Sequence, residues 1–162
     1  MTTSRFISAA LTGAITGLVV LTVYLVMERV ITERISAMTC LEQLLQWDAS
    51  NAYGARAFSG GWSMAWRGLG MDFVVALFWA IVFTLLYGTL PFVRRYPVPS
   101  GFFFGVIVMF VMIFWIVPLG HAIPMARTVP HLVNVFVAHT FFFGVPLAMA
   151  VDGALTGARF RR

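Results

Sequence analysis

The chain has 162 residues, of which 60% are hydrophobic and 10% charged, where soluble domains carry about 25% charged residues. The net charge is +5, and all 11 basic residues are arginine. They sit mostly in short connections and at the C-terminus, not in a run interleaved with aromatics. This excludes a nucleic-acid face and assigns the charge to topology and lipid headgroups. The lone Cys40 excludes an internal disulfide and any CxxC metal or redox pair.

Four uncharged apolar stretches organise the chain: Arg5 to Glu28, Asp72 to Arg94, Tyr96 to Gly120 and Leu132 to Val151. Each encloses about 20 residues or more, enough for a helix to cross a hydrocarbon core about 30 Å thick. The predicted fold is all-α: a polytopic membrane protein with four transmembrane helices in a bundle, one domain over 1–162. The helices are expected at about 5–29, 66–93, 99–120 and 131–157. The first stretch resembles a signal peptide, but it is longer than the roughly 7–15 residues of such a core and lacks an A-x-A site. It is read as the first membrane helix.

The first connection is the long one. Thr39 and Glu42 fit a capping box, and Ala37, Met38, Leu41, Leu44 and Leu45 share one helical face. An amphipathic interfacial helix is therefore expected over about 39–49, with Trp47 as an interface anchor. Asp48 is the misfit: projection places it among the apolar residues, so it is read as ending this helix or capping the next turn. Gly60-Gly61-Trp62 reads as a turn into the second span. Arg94 to Ser100 is a short rigid connection, with Pro97 and Pro99 about Val98 and Ser100 as a cap. Gly120 to Pro130 reads as an extended loop.

An even number of spans places both termini on one side, with Arg5, Arg94, Arg95, Arg159, Arg161 and Arg162. Arg29, Arg34, Arg56, Arg67 and Arg127 fall on the other. The small excess favours cytoplasmic termini.

Lipid is as apolar as leucine, so helix association needs close packing or polar contacts. Ala9, Gly13 and Gly17 repeat at spacing four, and Gly101/Gly105 and Gly153/Gly157 repeat the GxxxG pattern. These are read as helix-packing positions, within the chain or against another chain. Phe102-Phe103-Phe104 and Phe141-Phe142-Phe143 cannot all face one way, so part of each triplet should meet lipid, a neighbouring subunit or an apolar cofactor.

Ionisable groups within a membrane are costly and often functional. His139 lies nearest mid-membrane; Asn134, His131 and Asp152 share a projected face; Asp72 opens the second span. There is no Ser-His-Asp order, no catalytic carboxylate pair, no phosphate-binding loop and no metal-ligand spacing, so no enzyme is expected. The leading expectation is a non-catalytic accessory or structural subunit. It would pack against partner membrane proteins or copies of itself, in lipid, for example in a respiratory or photosynthetic complex. The alternatives are a small oligomeric transporter or channel using Asp72, Asn134 and His139, and a haem, pigment or quinone binder through His139.

A resemblance points the same way. Leu44-Leu45-Gln46-Trp47-Asp48-Ala49-Ser50, Gly60-Gly61-Trp62, Asp72-Phe73 through Phe83, and His139 with Gly144-Val145-Pro146-Leu147-Ala148 resemble small bacterial four-helix inner-membrane proteins. The layout is distantly similar to the YagU-like proteins, which share a Pro-Leu-rich end to helix three and a polar start to helix four. The resemblance implies an inner-membrane location and the four-helix layout, and it transfers no site residue. The chain departs from it at Asp72, where histidine or a neutral residue is expected.

Overall fold

A computed structural model describes residues 2–122 and 128–157. Pro124, Arg127 and the C-terminal arginines named above lie outside them. All the described elements are helical: α1 (Thr3–Glu33), α2 (Ala37–Tyr53), α3 (Gly61–Thr89), α4 (Pro91–Arg95), α5 (Pro97–Leu119) and α6 (Val129–Gly157), with a 3-10 turn over Gly54–Ser59. Helices α1, α3, α5 and α6 are long and apolar enough to cross a membrane.

Local chemistry explains where several ends depart from expectation. Helix α2 starts earlier, at Ala37, because Ser36 is the cap: its Oγ accepts from the Thr39 amide at 3.1 Å. Thr39 and Glu42 are therefore not the capping box, although Thr39 still meets Ser36 Oγ through its hydroxyl at 2.8 Å. The helix also runs through Asp48 to Tyr53, so Asp48 neither ends it nor caps the next turn. Helix α3 stops at Thr89, not near 93. Pro91 disfavours helical backbone at the residue before it, and Leu90 is extended at φ −102°, ψ 113°. Ser100 lies inside α5, which Pro97 opens.

Two π-helical segments interrupt the spans, Met112–Ile116 in α5 and Ala138–Gly144 in α6. Each is followed by the same tripeptide, Val117-Pro118-Leu119 and Val145-Pro146-Leu147. Proline lacks the amide that an α-helix would bond to residue i−4 and clashes with that carbonyl. Those carbonyls belong to Phe114 and Phe142, inside the two wide segments, where the ladder is already rearranged.

Helix α1 runs antiparallel to α6: a Cβ on Gly13 would lie 2.7 Å from Val151, and one on Gly17 would lie 3.2 Å from Phe143. Helices α1 and α3 also pack together, as do α5 and α6. The Phe104 ring closes the circuit against Trp79 and Phe83 of α3, at 5.8 and 5.1 Å between centroids. The core gathers Ala9, Ala14, Leu18, Ala80, Phe83, Phe104, Leu147 and Val151. Ile7, Leu11, Ile15, Val19, Val23, Met27 and Ile31 form an exposed apolar ridge at spacing four on α1.

The start of α1 and the end of α6 lie at one end of the bundle, the terminal end. Helix α2 lies at the opposite, cap end, packed mainly on α3 and also on α1. Its far side is tied to the chain after α5, where the His121 amide donates to the Asn51 carbonyl at 2.8 Å.

Candidate functional site

The small residues divide by environment. Gly101 and Gly105 of α5 press onto the wide turn of α6. A Cβ on Gly101 would sit 2.6 Å from the Gly144 carbonyl oxygen, and one on Gly105 would overlap the His139 carbonyl and the Thr140 backbone. Ala9 is fully buried. Gly153 and Gly157 have nothing within 4 Å of where a Cβ would stand. Both are exposed, so the expectation of packing within the chain fails there: they lie on the outward face of α6, while Val151 and Leu155 of the same helix are buried.

The aromatic triplets split by face. Phe104 and Phe143 are buried, while Phe103 and Phe141 are exposed. Phe102 meets both Phe136 and Phe141, at 6.0 and 5.3 Å. Those two residues are five apart, and a turn widened toward i→i+5 bonding aligns that spacing. Phe142 stacks on Tyr24 of α1 at 4.0 Å.

The polar residues of the spans are held in separate places. Tyr24 donates its hydroxyl proton to Asn134 Oδ1 at 2.5 Å, joining α1 to α6 near the cap end. Tyr87 donates to Asp152 Oδ1, joining α3 to α6 near the terminal end. His139 is half-buried, with Nδ1 2.9 Å from the Val135 carbonyl oxygen of its own helix. A carbonyl only accepts, so Nδ1 carries the proton and Nε2 the free electron pair. The His131 amide donates to the capping Thr128 hydroxyl at 3.4 Å. The buried Thr84 and Thr140 hydroxyls donate to carbonyls of their own helices, both at 2.7 Å. No described hydrogen bond joins any two of Asp72, Asn134 and His139.

Asp72 instead belongs to the cap. Helix α2 crosses α3 at Gly68, where a Cβ would overlap the Leu45 carbonyl and reach the Ala49 amide at 3.0 Å. Asp48 lies between Leu45 and Ala49 in sequence, and Asp72 lies one turn beyond Gly68. Both are half-buried. Burial, and next the Asp72 carboxylate, push the Asp48 carboxyl well above the usual carboxylate range. Around the pair, Gln46 bridges Glu42 and the Gly61 carbonyl at 3.3 and 3.2 Å. The Arg67 guanidinium lies over the Tyr53 ring at 5.4 Å. Cys40 is fully buried in the first turn of α2.

Sequence reasoning missed Tyr24, Tyr87 and the partner of Asp48. A buried tyrosine hydroxyl wants a polar partner. Matching polar residues by depth across spans pairs Tyr24 with Asn134 and Tyr87 with Asp152. The apolar neighbours of Asp48 were the signal of its burial. Among the described residues no group of three or more His, Cys, Asp or Glu side chains is placed to hold a metal ion. No protein-family model, curated protein or solved structure matches the chain.

Proposed function

We propose that this is a non-catalytic multi-pass membrane protein that serves as an accessory or structural subunit, packed against other membrane proteins. One observation carries the reading: packing inside the chain is uneven. The terminal-end halves of α5 and α6 pack on each other, with α1 against α6 and α3 against Phe104 of α5. At the cap end, Met112–Ile116, Val117–Leu119 and Val129–Val137 bury no residue. Trp115, Leu119 and Val129 are 69%, 83% and 74% exposed there. Lipid covers such surface, and a partner helix would cover it with better packing. The bacterial inner membrane and cytoplasmic termini complete the proposal, on the resemblance and the arginine distribution.

Native purification in mild detergent tests it. Other membrane polypeptides co-eluting in fixed ratio are expected. A lone monomer at every detergent-to-lipid ratio would overturn it.

A second reading has one observation in its favour. The His139 tautomer leaves Nε2 able to ligate the metal of a haem or pigment, with the Val135 carbonyl holding the ring. A colourless preparation would end that reading. The transport reading through Asp72, Asn134 and His139 finds less support, because the three lie on separate contacts.

A further inference from the structure

The crossing of α2 over α3 carries an inference independent of the accessory reading. At Gly68 the two helices meet backbone to backbone, against Leu45 and Ala49 of α2; Asp48 is the residue before Ala49, and Asp72 lies one turn beyond Gly68. The charge of Asp72 reaches Asp48. Among the described residues, the charged groups on the elements packed about α2 are engaged elsewhere or exposed. From α1, Arg29 is bonded to Glu33 at 2.9 Å and to Gln43 at 3.2 Å, toward the other end of α2. From α3, Arg67 lies over Tyr53. Arg56 of the 3-10 turn is exposed. His121, after α5, contributes its backbone amide to Asn51. On α2 itself, Glu42 accepts from Gln46. Among the described residues no basic side chain forms an ion pair with Asp48 or Asp72; the ion pair present is Arg29–Glu33.

Two ionised carboxylates across so close a crossing repel, and one proton between them removes the repulsion. We propose that Asp48 and Asp72 together form a one-proton site that holds the surface helix α2 on α3: the cap docks when the pair carries a proton and loosens when both carboxylates are ionised. The direction follows from linkage. The docked state keeps its proton to higher pH than the undocked state. Docking is therefore strongest at low pH and weakens as pH rises out of the ordinary carboxylate range through the raised value of Asp48.

The native chain supplies its own reporter, since Cys40 is the single cysteine and is fully buried in α2. Full-length protein in nanodiscs is labelled with a maleimide between about pH 5 and about pH 8. Each rate is divided by that of SDS-unfolded protein at the same pH, which removes the change in thiolate fraction. The ratio should rise several-fold across the range, as linkage to a proton held in the docked state requires. Asp48→Asn and Asp72→Asn should each flatten the profile and keep Cys40 protected, and Glu42→Gln should leave the wild-type slope. A flat wild-type profile would overturn the proposal, and that measurement requires no variant to fold. A wild-type slope surviving in both asparagine variants would overturn it as well.

Discussion

The two ends of the bundle are held together by different physics. At the terminal end and through the middle, helices approach closely at glycines: Gly13 and Gly17 take the Val151 and Phe143 side chains of α6, and Gly101 and Gly105 meet the backbone of the wide turn around Gly144. Side chains there are small or interlocked, as with Ala14, Ala80 and the Phe83–Phe104 pair. At the cap end the same two helices, α5 and α6, have no fully buried residue along Met112–Leu119 and Val129–Val137. Beside a few half-buried apolar contacts, such as Phe136 on Phe102, they are tied back through single polar contacts, Tyr24 to Asn134 and the His121 amide to Asn51. In lipid, dispersion from close packing accumulates over many atoms, whereas one interhelical hydrogen bond is worth little. The terminal half should therefore be the stable unit and the cap half the adjustable one.

The closely packed end should give the largest effect. Gly105→Leu forces a side chain into the His139 carbonyl and Thr140 backbone, and should cost about 3 kcal/mol by overpacking. Unfolding by SDS titration in mixed micelles measures it; an unchanged midpoint would mean that α5 and α6 do not meet as described. The cap end should respond next, through pH. Cys40 protection should fall as pH rises, while helix content read by circular dichroism stays constant. Simultaneous loss of both would make the two ends one cooperative unit. Tyr24→Phe keeps the stack on Phe142 and removes one hydrogen bond. A double-mutant cycle with Asn134→Ala should return about 0.6 kcal/mol. A coupling of several kcal/mol would make this contact a main support. Gly153→Leu should change monomer stability by less than about 0.5 kcal/mol, because the position faces open space. If this variant instead loses a co-purifying partner, the outward face of α6 is where that partner sits.

The four long apolar helices were legible because length and composition are properties that a local window reads directly. Helix ends were less so. Pro91 moved the end of α3, and Ser36 outcompeted Thr39 as the cap, although both signals stand in the sequence. The wide segments were marked by the repeated Val-Pro-Leu, which is visible once it is read as the consequence of a missing amide. The side of each glycine was not legible: Gly101/Gly105 and Gly153/Gly157 share a motif, and what lies opposite is decided by helix crossing. The same holds for Asp48 and Asp72, far apart in the chain and joined only because Gly68 lets α2 approach α3.

The two wide turns have a consequence for the length of the chain. Such a turn accommodates one residue more than an α-turn while the helix continues on both sides. Removing one outward-facing residue from it, such as Phe141, should let the segment rewind as ordinary α-helix and leave Val145–Gly157 presenting the same face to α1. An equal deletion in the regular part of α3 would turn every later side chain by about 100° and take Phe83 and Tyr87 out of the core. Helices α5 and α6 thus hold a slack residue that α1 and α3 lack, and single-residue gains or losses should be tolerated in Met112–Ile116 and Ala138–Gly144 before anywhere else in the bundle.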